Sequence, residues 1–203
     1  MKSKFQDSAL ILVDIQNDFC PGGALAVNEG DRIVPIVNRL ISEFPLVIST
    51  QDWHPANHIS FKQQGGPWPP HCVQGTQGAQ LRPDLNTDTI SYYFRKASSP
   101  DKDAYSEFEG KDEQGRSLGE ALKRHGVNKL YVVGLATDYC VLETVLDGIK
   151  YGYEVYPVID AMRAVNVDPD DGEKALRKMA DNGAHLVTSD EVLNLAGSAA
   201  KAS

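Results

Sequence analysis

The side chains with the types and spacing to do chemistry together are Asp14, Asp52, His54, His58, His71, Lys96 and Cys140. Cys140 comes first. Before it, Leu130-Tyr131-Val132-Val133 is short, apolar and β-branched, as a buried strand is. After it, Leu142, Val145, Leu146 and Ile149 recur at helical spacing. The turn Gly134-Leu135-Ala136-Thr137-Asp138-Tyr139-Cys140-Val141 therefore carries the thiol into the first turn of a helix, with Thr137 or Asp138 as N-cap. Free backbone N–H groups and the helix dipole favour an anion there. The thiol is expected to ionise more readily than a free cysteine, whose pKa is about 8.5. Taken alone, a single cysteine reads as a small buried hydrophobe; the rest of the chain argues for a nucleophile.

Asp14 ends the apolar run Ser8 to Val13, where an acid is costly unless it has a partner or a task. A simple loop cap is the plainer reading. Leu46 to Thr50 is a second strand and delivers Gln51-Asp52-Trp53-His54-Pro55, then His58. Asp52 and His54 sit two apart, so in an extended segment both point the same way. His71 follows in Trp68-Pro69-Pro70-His71-Cys72. One carboxylate with two or three imidazoles suits one divalent ion, Zn²⁺, Fe²⁺ or Mn²⁺. The loop from about 51 to 73 that holds them is long and rich in Pro and Gly, and such loops are functional or disordered. Its two tryptophans and several prolines argue for order. Ile90 to Phe94 is a third strand and leads to Lys96, which on its own reads as a solvated lysine.

The elements that must position these residues alternate. Asp31 opens a helix with Pro35 in its first turn and Ile33, Ile36, Val37, Leu40 and Ile41 as its buried stripe. Ser117 and Glu120 form a capping box for a helix that Gly126 stops. That reading also disposes of Gly115-Arg116-Ser117-Leu118-Gly119 as a serine-hydrolase elbow, because the stretch before it is polar rather than a buried strand. Tyr153 to Ile159 is a further strand, Asp168-Pro169 starts a helix ending at Asn182-Gly183, and Ala184 to Val187 is a last strand. A short helix, Glu191 to Leu195, follows. Strands alternating with helices give an α/β, three-layer, mostly parallel doubly wound sheet with helices on both faces. Asp14, Asp52, Lys96 and Cys140 then all fall at the C-terminal edge of that sheet, where ligands bind.

The 203 residues, 41% hydrophobic, suit a single domain over 1–195 with a frayed tail at 196–203. A net charge of −8 argues against nucleic-acid binding. No apolar run is long enough to span a membrane, and the N-terminus lacks a signal-peptide core. Three cysteines, Cys20, Cys72 and Cys140, form no disulfide framework, which fits a cytoplasmic protein.

At this point the motifs carry a resemblance. Val13-Asp14-Ile15-Gln16-Asn17-Asp18-Phe19, Asp52-Trp53-His54-Pro55, Trp68-Pro69-Pro70-His71-Cys72-Val73, Lys96, Tyr105-Ser106-Glu107-Phe108-Glu109-Gly110 and the Cys140 turn together resemble the nicotinamidase branch of the isochorismatase-like cysteine hydrolases, over nearly the whole chain. The resemblance implies hydrolysis of nicotinamide to nicotinic acid and ammonia through a cysteine thioester, with pyrazinamide also accepted. It implies a triad of Asp14, Lys96 and Cys140 and metal ligands Asp52, His54 and His71, with zinc foremost. It implies a cis peptide between Leu135 and Ala136, and an oxyanion held by the N–H groups of Ala136 and Cys140. Phe19, Trp68 and Tyr105 match positions lining the family's ring pocket. Members differ over a second loop histidine, so His58 stays open as a ligand, as does a homo-oligomer. Two rivals remain: a sister cysteine hydrolase acting on another small amide, or an isochorismatase lacking the nucleophile, and a noncatalytic doubly wound binding module. The lack of a Gly-rich phosphate fingerprint after the first strand weakens the last of these.

Overall fold

The apolar runs line up as five parallel strands. The structure is a computed structural model that describes residues 5–200. Its strands are β1 (Ser8–Val13), β2 (Val47–Asp52), β3 (Ile90–Lys96), β4 (Lys129–Leu135) and β5 (Glu154–Arg163), in the order β3-β2-β1-β4-β5. Every pairing among them is parallel. β1 is central, and all six of its residues are buried, which is why it reads as unbroken apolar sequence rather than an alternation. Its neighbours β2 and β4 lie on opposite sides, so the strand order reverses at β1 and opens a crevice beyond its carboxyl end.

Two apolar layers cover the sheet. On one face Leu10, Leu12 and Val133 pack with Ile33, Val37 and Leu40 of the segment leading through α1 (Val34–Ile41), and with Val192 of α5 (Ser189–Ala200). On the other, Ile11, Val13 and Val132 pack with Leu118 and Leu122 of α2 (Leu118–Arg124), Leu142 and Val145 of α3 (Leu142–Lys150) and Met179 of α4 (Asp171–Asp181). The three-layer expectation holds. The capping box at α2 forms as read: Glu120 N–H donates to Ser117 Oγ at 3.3 Å, and Ser117 N–H to Glu120 Oε2 at 2.7 Å. Among the described residues no helix is long and apolar enough to cross a membrane.

Three elements differ from the sequence reading. Ala184 to Val187 does not become a full strand: it runs beside β5 and forms a single bridge, Val158 with Val187. His185 N–H donates to Val155 O and Val187 N–H to Pro157 O. Pro157 has no N–H to return, so the ladder lapses there. The first helix is preceded by a tighter turn, Gly30–Ile33, that takes up the Asp31 start. Residues 196–200, expected as part of a tail, continue α5, as three alanines there favour; 201–203 lie outside the described residues.

Candidate active site

Strand register assembles the site. Asp14 follows the last residue of β1, while Asp52 and Lys96 close β2 and β3 and stand opposite each other in the parallel ladder. Cys140 lies in the π-turn Thr137–Val141 between β4 and α3. Asp138 is not the N-cap: its carboxylate accepts N–H bonds from Val165 and Asn166 at 2.9 Å, tying the loop after β5 to this turn. The Leu135–Ala136 peptide is cis. Asp14, Cys72 and Ala97 adopt left-handed backbone with φ of 47°, 45° and 49°. Such strain in non-glycine residues gathers at functional sites, and each of these is or adjoins a residue singled out above.

Lys96 is the hub. Its Nζ donates to Asp14 Oδ2 at 2.6 Å and to Asp52 Oδ1, and lies 3.5 Å from Cys140 Sγ and 3.4 Å from Glu107 Oε1. At 1% exposure it is no solvated lysine. Burial opposes its charge, but the surrounding acids raise its proton affinity well above the ordinary value. Asp52 goes the other way: burial would raise it, yet the Lys96 ammonium holds it far below the usual carboxylate range. Asp14 is raised by burial, with Lys96 offsetting only part, and its carboxylate comes within 4.8 Å of the Cys140 sulfur. The expectation of an easily ionised Cys140 is corrected here. Burial and the neighbouring carboxylates push that thiol well above its ordinary value, and Lys96 only opposes them. Burial thus favours the protonated thiol, beside a carboxylate whose own proton affinity is raised.

The second cluster holds three lone pairs face to face. His54 Nδ1–H donates to Ala97 O at 3.3 Å and His71 Nδ1–H to Pro69 O at 2.8 Å, so both Nε2 atoms are left bare. His54 Nε2 is buried with no hydrogen-bond partner. Asp52 Oδ2 lies 3.3 Å from it and 3.9 Å from His71 Nε2. The three donor atoms come within 4.8 Å of one another. Acceptors that converge with no proton between them fit a divalent cation, and outer Nδ1 bonds of this kind orient metal-ligating histidines. His58 is engaged elsewhere: its Nδ1 meets Ser60 Oγ at 2.7 Å and its Nε2 meets Lys102 O at 3.1 Å. It packs on the His54 ring instead of aiming a lone pair at the cluster.

Polar side chains of the first motif lash this loop in place. Gln16 Nε2–H donates to Asp52 O at 2.9 Å and Ala79 O at 2.8 Å, and Gln16 Oε1 accepts Asp52 N–H at 2.9 Å. Asp18 Oδ2 accepts Cys72 N–H at 2.7 Å, just after His71. Loop order therefore comes from buried amide bonds rather than regular structure. Above the clusters lies a pocket lined by Phe19, Trp68 and Tyr105, with Asp52, His71, Ala136 and Cys140 also on its walls. Trp68 Nε1–H donates to Tyr105 Oη at 3.1 Å, fixing two of the aromatic walls. The pocket is mostly apolar with a few convergent polar groups, as small-molecule sites are.

The isochorismatase domain pattern matches residues 8–191. The chain belongs to the isochorismatase family. It is 46% identical to the nicotinamidase of Escherichia coli over 200 residues, 89% of this chain and 94% of that protein. The crystal structure of the pyrazinamidase of Pyrococcus horikoshii in complex with zinc superposes with a TM-score of 0.81 at 48% identity, covering 90% of this chain and 99% of that one. PnC1 of L. infantum in complex with nicotinate gives a TM-score of 0.85 at 37% identity, covering 94% and 96%.

In this member of the isochorismatase family, four residues at the site escaped the sequence reading. Leu25, Tyr139 and Val165 complete the pocket wall. Tyr139 neighbours Cys140, which was a usable signal; Leu25 and Val165 sit in irregular segments that only tertiary contacts bring in. Glu107, fully buried against Lys96, is the fourth. Its place between Tyr105 and Phe108, in an otherwise polar stretch, was the available hint.

Proposed function

We propose that this protein is an amidohydrolase that converts nicotinamide to nicotinic acid and ammonia, with Cys140 as nucleophile. The observation that carries this reading is the buried contact of Asp14, Lys96 and Cys140 beside the Asp52–His54–His71 cluster, under a pocket walled by Phe19, Trp68 and Tyr105. Family membership and the nicotinamidase and pyrazinamidase relatives support it.

Asp14 accepts the thiol proton as Sγ bonds to the carboxamide carbon, and its raised proton affinity suits it to that task. Lys96 compensates the negative charge that moves between the two groups. The backbone N–H groups of Ala136 and Cys140 receive the oxyanion; such donors typically contribute about 10²–10³ in rate each. The C–N bond breaks, and Asp14 hands its proton to the leaving ammonia. Asp14 then takes a proton from water as the water oxygen attacks the thioester. The C–S bond breaks, the thiol recovers a proton, and nicotinic acid leaves. Phe19, Trp68 and Tyr105 hold the ring. Asp52, His54 and His71 would hold one divalent ion, Zn²⁺ as in the P. horikoshii protein, with Fe²⁺ or Mn²⁺ suited to the same donors. Once bound, such an ion supplies a Lewis-acidic anchor for the lone pair of an aromatic nitrogen.

Ammonia release from nicotinamide by the metal-loaded protein and by Cys140→Ala tests the proposal. Stoichiometric ammonia and nicotinic acid from the parent, with none from the variant, are expected. Turnover of a different small carboxamide but not of nicotinamide would select the sister activity instead.

A further inference from the structure

The irregular segment after β5 walls the ring pocket: Val165 lines it beside Leu25 and Tyr139, while Val167, two residues on, is exposed. Two side chains fix this segment in place. Asp138 lies in the π-turn, two residues before Cys140. Its Oδ1 accepts Val165 N–H and its Oδ2 accepts Asn166 N–H, each at 2.9 Å. Asn166 has left-handed backbone with φ of 53°, and its own Oδ1 accepts Gly172 N–H at 2.8 Å. That second bond fastens the segment to the first turn of α4. Space there is tight, since a Cβ on Gly172 would lie 2.6 Å from the Ala164 side chain.

Both oxygens of Asp138 are thus engaged by main-chain N–H groups. Lys174, which shares the surface groove beside it, pairs instead with Asp170 at 2.9 Å and Asp171 at 3.6 Å. Bonds from N–H groups to a carboxylate are about twice as strong as neutral ones. The clamp joins two parts with different tasks. One is the turn that carries Cys140 and follows Ala136; the other is a wall of the pocket. The position of that wall is therefore set relative to the Cys140 sulfur and not only to the end of β5.

We propose that Asp138 is a positioning residue for ring binding: its carboxylate clamps the segment after β5 to the Cys140 turn and so keeps Val165 in the pocket wall. The inference deepens the Cys140 amidase reading above and rests on it. With the clamp broken, the segment keeps its tie to α4 through Asn166 but no longer holds Val165 against the ring. An apolar contact of that kind in a pocket is worth about 10- to 200-fold in kcat/KM. Contacts to the ring are made alike before and during attack on the carboxamide, so their loss raises KM and leaves kcat nearly unchanged. The contacts of Lys96 with Asp14 and Cys140 depend on the ends of β1 and β3 and on the turn itself.

The test is a double-mutant cycle. Asp138→Asn keeps the shape but presents a donor where one N–H needs an acceptor; Val165→Ala shortens the wall itself. Two quantities are read on metal-loaded protein: kcat and KM for nicotinamide, and the rate at which iodoacetamide alkylates Cys140. Thermal melts and metal content are recorded alongside. Each single variant is expected to raise KM about tenfold with kcat within about threefold of the parent. The double variant is expected to stay within about twofold of the larger single effect, because the clamp acts through Val165. Alkylation is expected to quicken in both single variants, as the wall opens over the thiol, and not to quicken again in the double. Effects on KM that multiply in the double variant overturn the proposal, since Asp138 would then act by another route. So does a parental KM in Asp138→Asn, and so does a fall in kcat with slower alkylation, which would make Asp138 a support of the Cys140 turn alone. Should Asp138→Asn not fold, Asp138→Ser leaves one hydroxyl that cannot span both N–H groups: a rise in KM of about tenfold supports the proposal and a parental KM overturns it. Failure of the parent to hydrolyse nicotinamide would refute the amidase reading, while the alkylation cycle would still judge the clamp.

Discussion

Replacing Lys96 with alanine removes the ammonium that Asp14, Asp52, Glu107 and Cys140 share. A unit charge 3.5 Å from Sγ is worth about 5 kcal/mol at an effective dielectric of about 20, or roughly three and a half pH units on the thiol. Part of that returns, because Asp14 binds a proton more readily once the ammonium is gone. A net shift of one to two units remains, so alkylation of Cys140 by iodoacetamide at about pH 8 should slow by about 10- to 100-fold. Peptide mapping by mass separates this signal from Cys20 and Cys72, both fully buried, with Cys20 pushed up to about 11 by burial. Stability should fall as well, by about 3–5 kcal/mol at neutral pH, because carboxylates are left without their partner. The sign with pH follows from linkage. In the variant the acids have folded pKa values above their unfolded values near 4, so stability is present at low pH and lost as pH rises. The gap from the parent in urea denaturation should therefore widen from about pH 5 to about pH 8. An unchanged alkylation rate, with a gap that is flat or narrows as pH rises, would refute the view of Lys96 as the charge hub.

Benzamide keeps the ring and the amide but lacks the ring nitrogen, so its kcat/KM should fall by about 10⁴-fold or more relative to nicotinamide, while pyrazinamide should be accepted within about tenfold. Comparable hydrolysis of benzamide would make the metal structural. Gly134 has φ of 123°, and a Cβ there would meet the Val13 carbonyl oxygen, so Gly134→Ala should cost about 3 kcal/mol or more in denaturant unfolding. Imidazoles must be neutral to ligate, and burial lowers the proton affinity of His71; bound metal should therefore persist below the ordinary imidazole value of about 6.5 and be lost only on further acidification. Metal analysis after gel filtration at stepped pH would contradict this if the ion were already lost near pH 7.

Sequence legibility followed the range of the physics involved. Asp14, Asp52, Lys96 and Cys140 could be placed at one sheet edge because each follows or ends an apolar strand, and parallel sheets present those ends together. Strand length was less legible: Asp52 and Lys96 lie inside their strands, since ladder pairing continues through polar residues once a partner is in register. The strand expected at Ala184 to Val187 failed on Pro157, a neighbour distant in sequence. Cys140 was misjudged in its proton affinity because the helix-end effect is local and visible, whereas burial and three converging carboxylates are tertiary. Glu107 was missed for the same reason: in sequence it is one more acid in a polar loop.

The central claim is that the acyl group passes through Cys140. Rapid acid quenching of the metal-loaded protein during turnover of nicotinamide, followed by intact and peptide mass analysis, tests it most directly. The account predicts a nicotinoyl group on the peptide containing Cys140, formed before nicotinic acid accumulates and absent from Cys140→Ala. Steady turnover with no acylated Cys140 at any time, or ammonia release by Cys140→Ala at the parental rate, would contradict it.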